Sequence, residues 1–170
     1  MFEFTETIRI EAPAASVWEY VADVERWWLA SNPEHICINV PGPKSAIGPG
    51  TEITFEEGVA GIKGEAKGTI TQWVPGTVIE WEGEALYHDR GFLLRIREGV
   101  SWRVDSLEEE TQLCAHVWAV FSSGLKGRIF EWHTRNLLNV VDKDREHARR
   151  ELVYLKSAIE SRHQLSKDAS

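Results

Sequence analysis

Two residues with the greatest chemical reach stand on one periodic stripe near the C-terminus. His133 and Asp144 fall where the apolar residues Phe130, Leu137, Val140, Val141, Ala148, Leu152, Leu155 and Ile159 recur at steps of three or four. A core stripe calls for Leu or Ala at such positions, so an imidazole and a carboxyl there are candidates for general acid/base work. On a helix they would lie ~16 Å apart, so they are separate candidates and not a dyad. A buried carboxylate is costly alone, and Asp144 therefore needs a basic or hydroxyl partner, ordered water or a place at a rim. A second group, Tyr87-His88-Asp89-Arg90, occupies a turn between two strand-like segments. Donors gathered at a rim suit a ligand with a carbonyl, phenolate or carboxylate head.

Other patterns carry less chemistry. Gly58-x-x-Gly61-x-x-Gly64 has strand-like residues on both sides, whereas a phosphate loop needs a strand before it and a helix after it. The acidic runs are Glu56-Glu57, Glu80-x-Glu82-x-Glu84 and Glu108 to Glu110. Alternation with Ile79 and Trp81 turns Glu80 and Glu82 outward, and the runs together are read as solvated surface. Cys37 and Cys114 lack zinc-ligand or disulfide-framework spacing. No G-x-S-x-G, H-E-x-x-H, Walker loop or kinase signature is present. The expectation is no metal and no cofactor. Any catalysis would rest on acid/base groups and on shaping a ligand in a dry cavity.

The formal net charge of -8 opposes binding to nucleic acid and to anionic membrane surfaces. No apolar run is long enough to span a bilayer, and the start Met1-Phe2-Glu3-Phe4-Thr5-Glu6 lacks the basic and apolar regions of a secretory leader. A cytoplasmic protein without stable membrane insertion is expected. With 170 residues, 42% of them hydrophobic, the chain is expected to form one domain over 1–163, followed by a flexible tail at 164–170.

The elements that must position these groups follow from patterning. Phe2 to Ile10 alternates with period two and reads as a strand. Pro13 suits a helix start before Val17, Trp18 and Val21, and Asp23 is placed to cap a second short helix carrying Trp27, Trp28 and Leu29 that Asn32-Pro33 ends. Strand-like segments follow at about 35–40, 51–57, 62–73, 77–87, 92–107 and 111–121, separated by short Gly, Pro and Asp-rich turns. The periodic stripe predicts one helix from Gly124 to about Arg162. The fold class is therefore α+β: a curved antiparallel sheet covered by a long helix. In the last strand, His116 and Trp118 share one face, and Leu113, Ala115, Val117, Ala119 and Phe121 the other. That apolar surplus leaves room for a homodimer contact.

Pro13, Val17, Trp18, Val21, Asp23 and Trp27 resemble the opening signature of the polyketide cyclase/dehydrase and START-related superfamily. Gly48-x-Gly50, Trp73-Val74-Pro75-Gly76, Val78-Ile79-x-Trp81, Trp102 and the long amphipathic helix look like the rest of that pattern in order. The resemblance implies the helix-grip fold, seven strands wrapped on the long helix, with an apolar cavity between. The expected ligand-binding residues are Ile79, Trp81, Phe92, Leu94, Trp102, Val104, Phe130, His133, Leu137 and Val141, with Tyr87, His88 and Arg90 at the mouth. The implied partner is a small hydrophobic molecule such as a lipid, quinone or polyketide. One alternative is a cofactor-independent cyclase or dehydratase with His133 as base and Tyr87, His88 or Arg90 as donor. Another is a protein-interaction module such as a chaperone activator.

Overall fold

Alternation of large apolar residues with polar ones over the first ten residues produces β1 (Phe2–Ile10), in which Phe2, Phe4 and Ile10 are buried. The computed structural model describes residues 1–43, 46–59, 61–89, 92–121, 124 and 139–168. Two short helices follow: α1 (Ala14–Val21), which buries Val17, Tyr20 and Val21, and α2 (Val24–Ser31), which buries Val24, Trp27 and Trp28. Pro13 stands at the N-cap of α1. Asp23 holds the same position in α2, although its side chain makes no capping hydrogen bond. Extended backbone at Asn32, ahead of Pro33, ends α2.

Six further strands are β2 (His35–Asn39), β3 (Glu52–Val59), β4 (Ile62–Val74), β5 (Val78–Asp89), β6 (Phe92–Ser106) and β7 (Thr111–Phe121). They join β1 in one antiparallel sheet of order β1-β7-β6-β5-β4-β3-β2. Register lines up rows of side chains on the concave face. Ile70, Trp81, Val100 and Val117 form one row, and Glu57, Gly64, Tyr87 and Leu94 another. Two glycines determine how Trp81 lies. Gly68 pairs with Gly83, and a Cβ on Gly68 would meet the Trp81 ring at 2.6 Å and the Glu82 carbonyl oxygen at 2.2 Å. The indole therefore rests directly on bare backbone.

The concave face is covered by α3 (Val140–Asp168), which buries Ala148, Leu152, Leu155 and Ile159. Arg145 and Arg149 pair with Glu6, Lys156 Nζ donates to the Arg9 carbonyl, and Arg162 pairs with Glu19, so charged flanks tie the helix to β1 and α1. Within the helix, Arg150 pairs with Glu146 at 3.5 Å and Lys156 with Glu160 at 2.6 Å, both at i,i+4 spacing.

The helix boundaries differ from the sequence expectation. Asn139 has φ 51° and its carbonyl accepts the Lys143 N–H, so α3 starts at Val140 and is not continuous from Gly124. Asn is among the few residues that adopt the left-handed region readily. At the other end the helix runs through Asp168, past Arg162. No helix among the described residues is long and apolar enough to cross a membrane.

Candidate functional site

Two apolar clusters fill the space between sheet and helix. One joins α1 and α2 to Ile79, Trp102 and the later turns of α3; the other gathers Ile53, Ile70 and Trp81 beneath Ala148. Where they meet, Val24, Trp28, Ile38, Ile53, Phe55, Ile70, Ile79, Trp81, Val100, Trp102, Val117 and Ala148 line a cavity of about 90 Å³. Gly99, Glu57, Glu98, Asp144, His147 and Glu151 complete its lining. A dry engineered cavity of ~150 Å³ holds one benzene, so this space is smaller than a one-ring cavity and takes a ring only as its walls give way. A second cavity of about 60 Å³, reached by Tyr87, Leu94 and Ile96, shares Glu98 and Asp144 with the first.

The polar residues form a wall. Tyr87 Oη lies 3.1 Å from Glu57 Oε1 and 3.2 Å from Glu98 Oε2. A phenol has one proton to donate, so serving both oxygens requires one carboxyl to be protonated. Burial, and then the charges of Glu57 and Asp144, hold Glu98 well above the usual carboxylate range, which favours the protonated form there. Burial also raises Glu57, against the opposing pull of His147 and His35, and raises Tyr87 well above an ordinary phenol. Asp144, half-buried, is pushed up to about 7 by burial and then by the charge of Glu57. Two further donors stand at the cavity: the Nε1–H groups of Trp81 and Trp102 are buried without an acceptor among the described residues.

Beyond Glu57 the wall continues into a histidine pair. The His35 ring stacks on Trp28 at 3.7 Å and 6°, and its Nδ1 donates to the Trp28 carbonyl. His147 Nδ1 donates to Glu34 Oε2 at 3.0 Å. The two Nε2 atoms are 2.9 Å apart, and Glu151 Oε1 lies 3.0 Å from that of His35 and 3.5 Å from that of His147. Burial disfavours the charged form of His147, but the Glu151 hydrogen bond and nearby carboxylates outweigh it and raise the imidazole to about 10. Burial likewise raises Glu151, and the two histidines more than reverse this, leaving it below its ordinary value.

Residues 1–143 match the family described as polyketide cyclase / dehydrase and lipid transport. The chain belongs to that family. Among solved structures it is similar to the Zhui aromatase/cyclase from Streptomyces sp. R1128, at 18% identity and TM-score 0.64, covering 95% of this chain and 94% of that one. A START superfamily protein from Mycobacterium smegmatis matches at 12% identity and TM-score 0.60, covering 94% and 97%. Ara h 8.0201 matches at 13% identity and TM-score 0.62, covering 94% and 98%. At these identities the likeness is one of fold, and it establishes the helix-grip architecture. No curated protein matches the sequence.

Within this polyketide cyclase/dehydrase family member, the residues expected at the site separate into three groups. Ile79, Trp81, Trp102 and Asp144 line the main cavity; Tyr87 and Leu94 line the smaller one. Val141 is half-buried and packs beside the second apolar cluster. Two expectations are corrected. His88 is exposed, because it alternates with Tyr87 and so faces the convex side. Val104 lies farther along β6 than Trp102 and packs into the first apolar cluster, away from the cavity lining. Phe92 opens β6 at Asp89, while Arg90, Phe130, His133 and Leu137 lie outside the described residues.

The solvated reading of Glu56-Glu57 is also corrected, since Glu57 is 9% exposed. Strand parity carried the signal. Glu57 has the parity of Ile53 and Phe55, and Glu98 that of Leu94, Ile96, Val100 and Trp102. His147 and Glu151 follow Asp144 at helical steps beside Ala148 and Leu152, which marks the same face. Val117 lines the cavity, so the odd positions of β7 face inward. Trp118 lies on the convex face over Gly99, with Arg97 5.7 Å from its ring.

Proposed function

We propose that this protein binds a small, mostly apolar molecule bearing hydroxyl or carbonyl oxygens in the cavity between sheet and helix. The observation that carries this reading is the combination of an aromatic cavity with one hydrogen-bonding wall, Glu57, Tyr87, Glu98 and Asp144, and two buried indole N–H groups without acceptors among the described residues. Such groups cost free energy when unpaired and reward a ligand that pairs them. The volume favours a head group of at most a single ring, and even that requires Trp28, Phe55 or Trp81 to give way. Native mass spectrometry of protein from its own host should find a retained small molecule that the cavity-filling Val117→Phe variant loses. Identical bare-chain masses for both would count against the reading.

A second reading, acid/base cyclisation or dehydration, is favoured by one specific observation. Asp144, at about 7, is poised near neutrality beside a phenol and a protonated carboxyl. In an aldol ring closure Asp144 would take the acidic C–H proton, and Tyr87 would hold the enolate oxygen. Asp144→Asn should then abolish turnover of a poly-β-carbonyl substrate and leave phenol affinity within a factor of about three. Retained turnover by the variant would rule out Asp144 as the base, and no turnover by the wild-type chain would leave only the carrier function.

A further inference from the structure

We propose that His35, His147 and Glu151 form a binding site for a divalent first-row transition ion, with Zn²⁺ the best fit. The inference does not depend on what the cavity binds. It starts from proton accounting. The Trp28 carbonyl can only accept, so His35 Nδ1 carries a hydrogen; Glu34 accepts from His147 Nδ1 in the same way. Nε2 is thus the position on each ring left for a proton or a cation, and a metal would displace the proton that Glu151 and the nearby carboxylates favour on His147; the two nitrogens approach to 2.9 Å with the Glu151 oxygen beside them. Three electron-rich atoms converge on one point inside the protein, where side-chain exposure is 0% for His35, 7% for His147 and 9% for Glu151. One proton between the nitrogens would satisfy two of the three atoms; a cation satisfies all of them.

The spacing fits a metal. A triangle with sides of 2.9, 3.0 and 3.5 Å has a circumscribed radius of about 1.8 Å, so a point ~2.0–2.1 Å from all three atoms exists about 1 Å off their plane. These are the usual lengths of Zn–N and Zn–O bonds. The supporting contacts also suit a metal site. Each imidazole is oriented by a hydrogen bond from its other nitrogen, one to a carbonyl and one to a carboxylate, and Trp28 stacks flat on His35. His147 and Glu151, one helical turn apart, present their ligand atoms together, while His35 comes from β2 across the fold. Glu57 Oε2, 4.0 Å from each Nε2, stands where it could accept a hydrogen bond from a water on the ion. Two imidazoles and one carboxylate match zinc and its neighbours and not Mg²⁺ or Ca²⁺, which favour all-oxygen shells.

The test is to strip the protein with chelator and titrate with Zn²⁺ alone by calorimetry and with Co²⁺ alone by visible absorption. One equivalent of Zn²⁺ should bind, and Co²⁺ should give ligand-field bands of a site with nitrogen ligands. Glu151→Gln and His147→Ala should each weaken Zn²⁺ at least 100-fold. Glu34→Gln, whose side chain is partly exposed and not a ligand, should weaken it 10- to 100-fold while keeping the native circular dichroism. His116→Ala, on the convex face, should leave the affinity unchanged. No stoichiometric uptake by the wild-type chain, or equal uptake by folded Glu151→Gln and Glu34→Gln, would overturn the proposal.

Discussion

Replacing Asp144 with Asn should stabilise the folded chain at neutral and alkaline pH and leave it unchanged near pH 4. The carboxyl is raised from 3.8 to about 7, first by burial and then by the charge of Glu57. A carboxyl whose pKa is raised on folding binds more protons in the native state than in the unfolded one. Its stabilising contribution is full below about pH 4 and is lost as pH rises to about 7. A shift of ~3 units corresponds to at most ~4 kcal/mol, and water reaching a half-buried side chain reduces this to ~1–2 kcal/mol. For a chain of this size that is a rise in Tm of roughly 2–8 °C at pH 8. Thermal melts of both proteins from pH 4 to 8, with chelator present so that only the protein's own charges act, read the difference directly. A variant less stable than wild type at pH 8, or a difference that does not change with pH, would refute the assignment of a strained carboxyl at the cavity wall.

Other substitutions separate packing from site chemistry. Leu155→Ala, at 0% exposure on the buried face of α3, should cost ~2–5 kcal/mol in denaturant unfolding. Gly64→Ala would place a methyl 2.4 Å from Tyr87 ring carbons, so it should displace the phenol from Glu57 and Glu98 and weaken phenol binding about tenfold by calorimetry. Arg97→Ala removes an exposed pair with Glu82 and should change stability by less than ~1 kcal/mol, falling further in salt. Val117→Phe should abolish ligand uptake while the far-ultraviolet circular dichroism stays native.

Much of the scaffold was legible because strands and turns write themselves locally. Alternation over Phe2–Ile10 marked β1, and Pro75-Gly76, with Gly76 at φ 80°, marked the β4–β5 turn. The start of α3 was not legible, since Asn139 interrupts an apolar stripe that continues on both sides, and periodicity is blind to one left-handed residue. Asp144 was visible as a polar residue on that stripe, and Tyr87 as a donor near a turn. Glu57 was hidden by a reading of acidic residues as runs and Glu98 was not singled out, although strand parity assigned both to the concave face. The histidine pair joins residues 112 positions apart, and no local spacing could reveal it.

The central claim, a cavity that takes a small oxygen-bearing apolar molecule, is tested most directly by NMR titration of isotope-labelled protein with phenol. The account predicts saturable amide shifts at Trp81, Val100, Trp102 and Val117 and at the Trp81 and Trp102 indole N–H signals, with His116 and Trp118 on the convex face unmoved. Shifts confined to the convex surface, or none that saturate on the concave face, would contradict it.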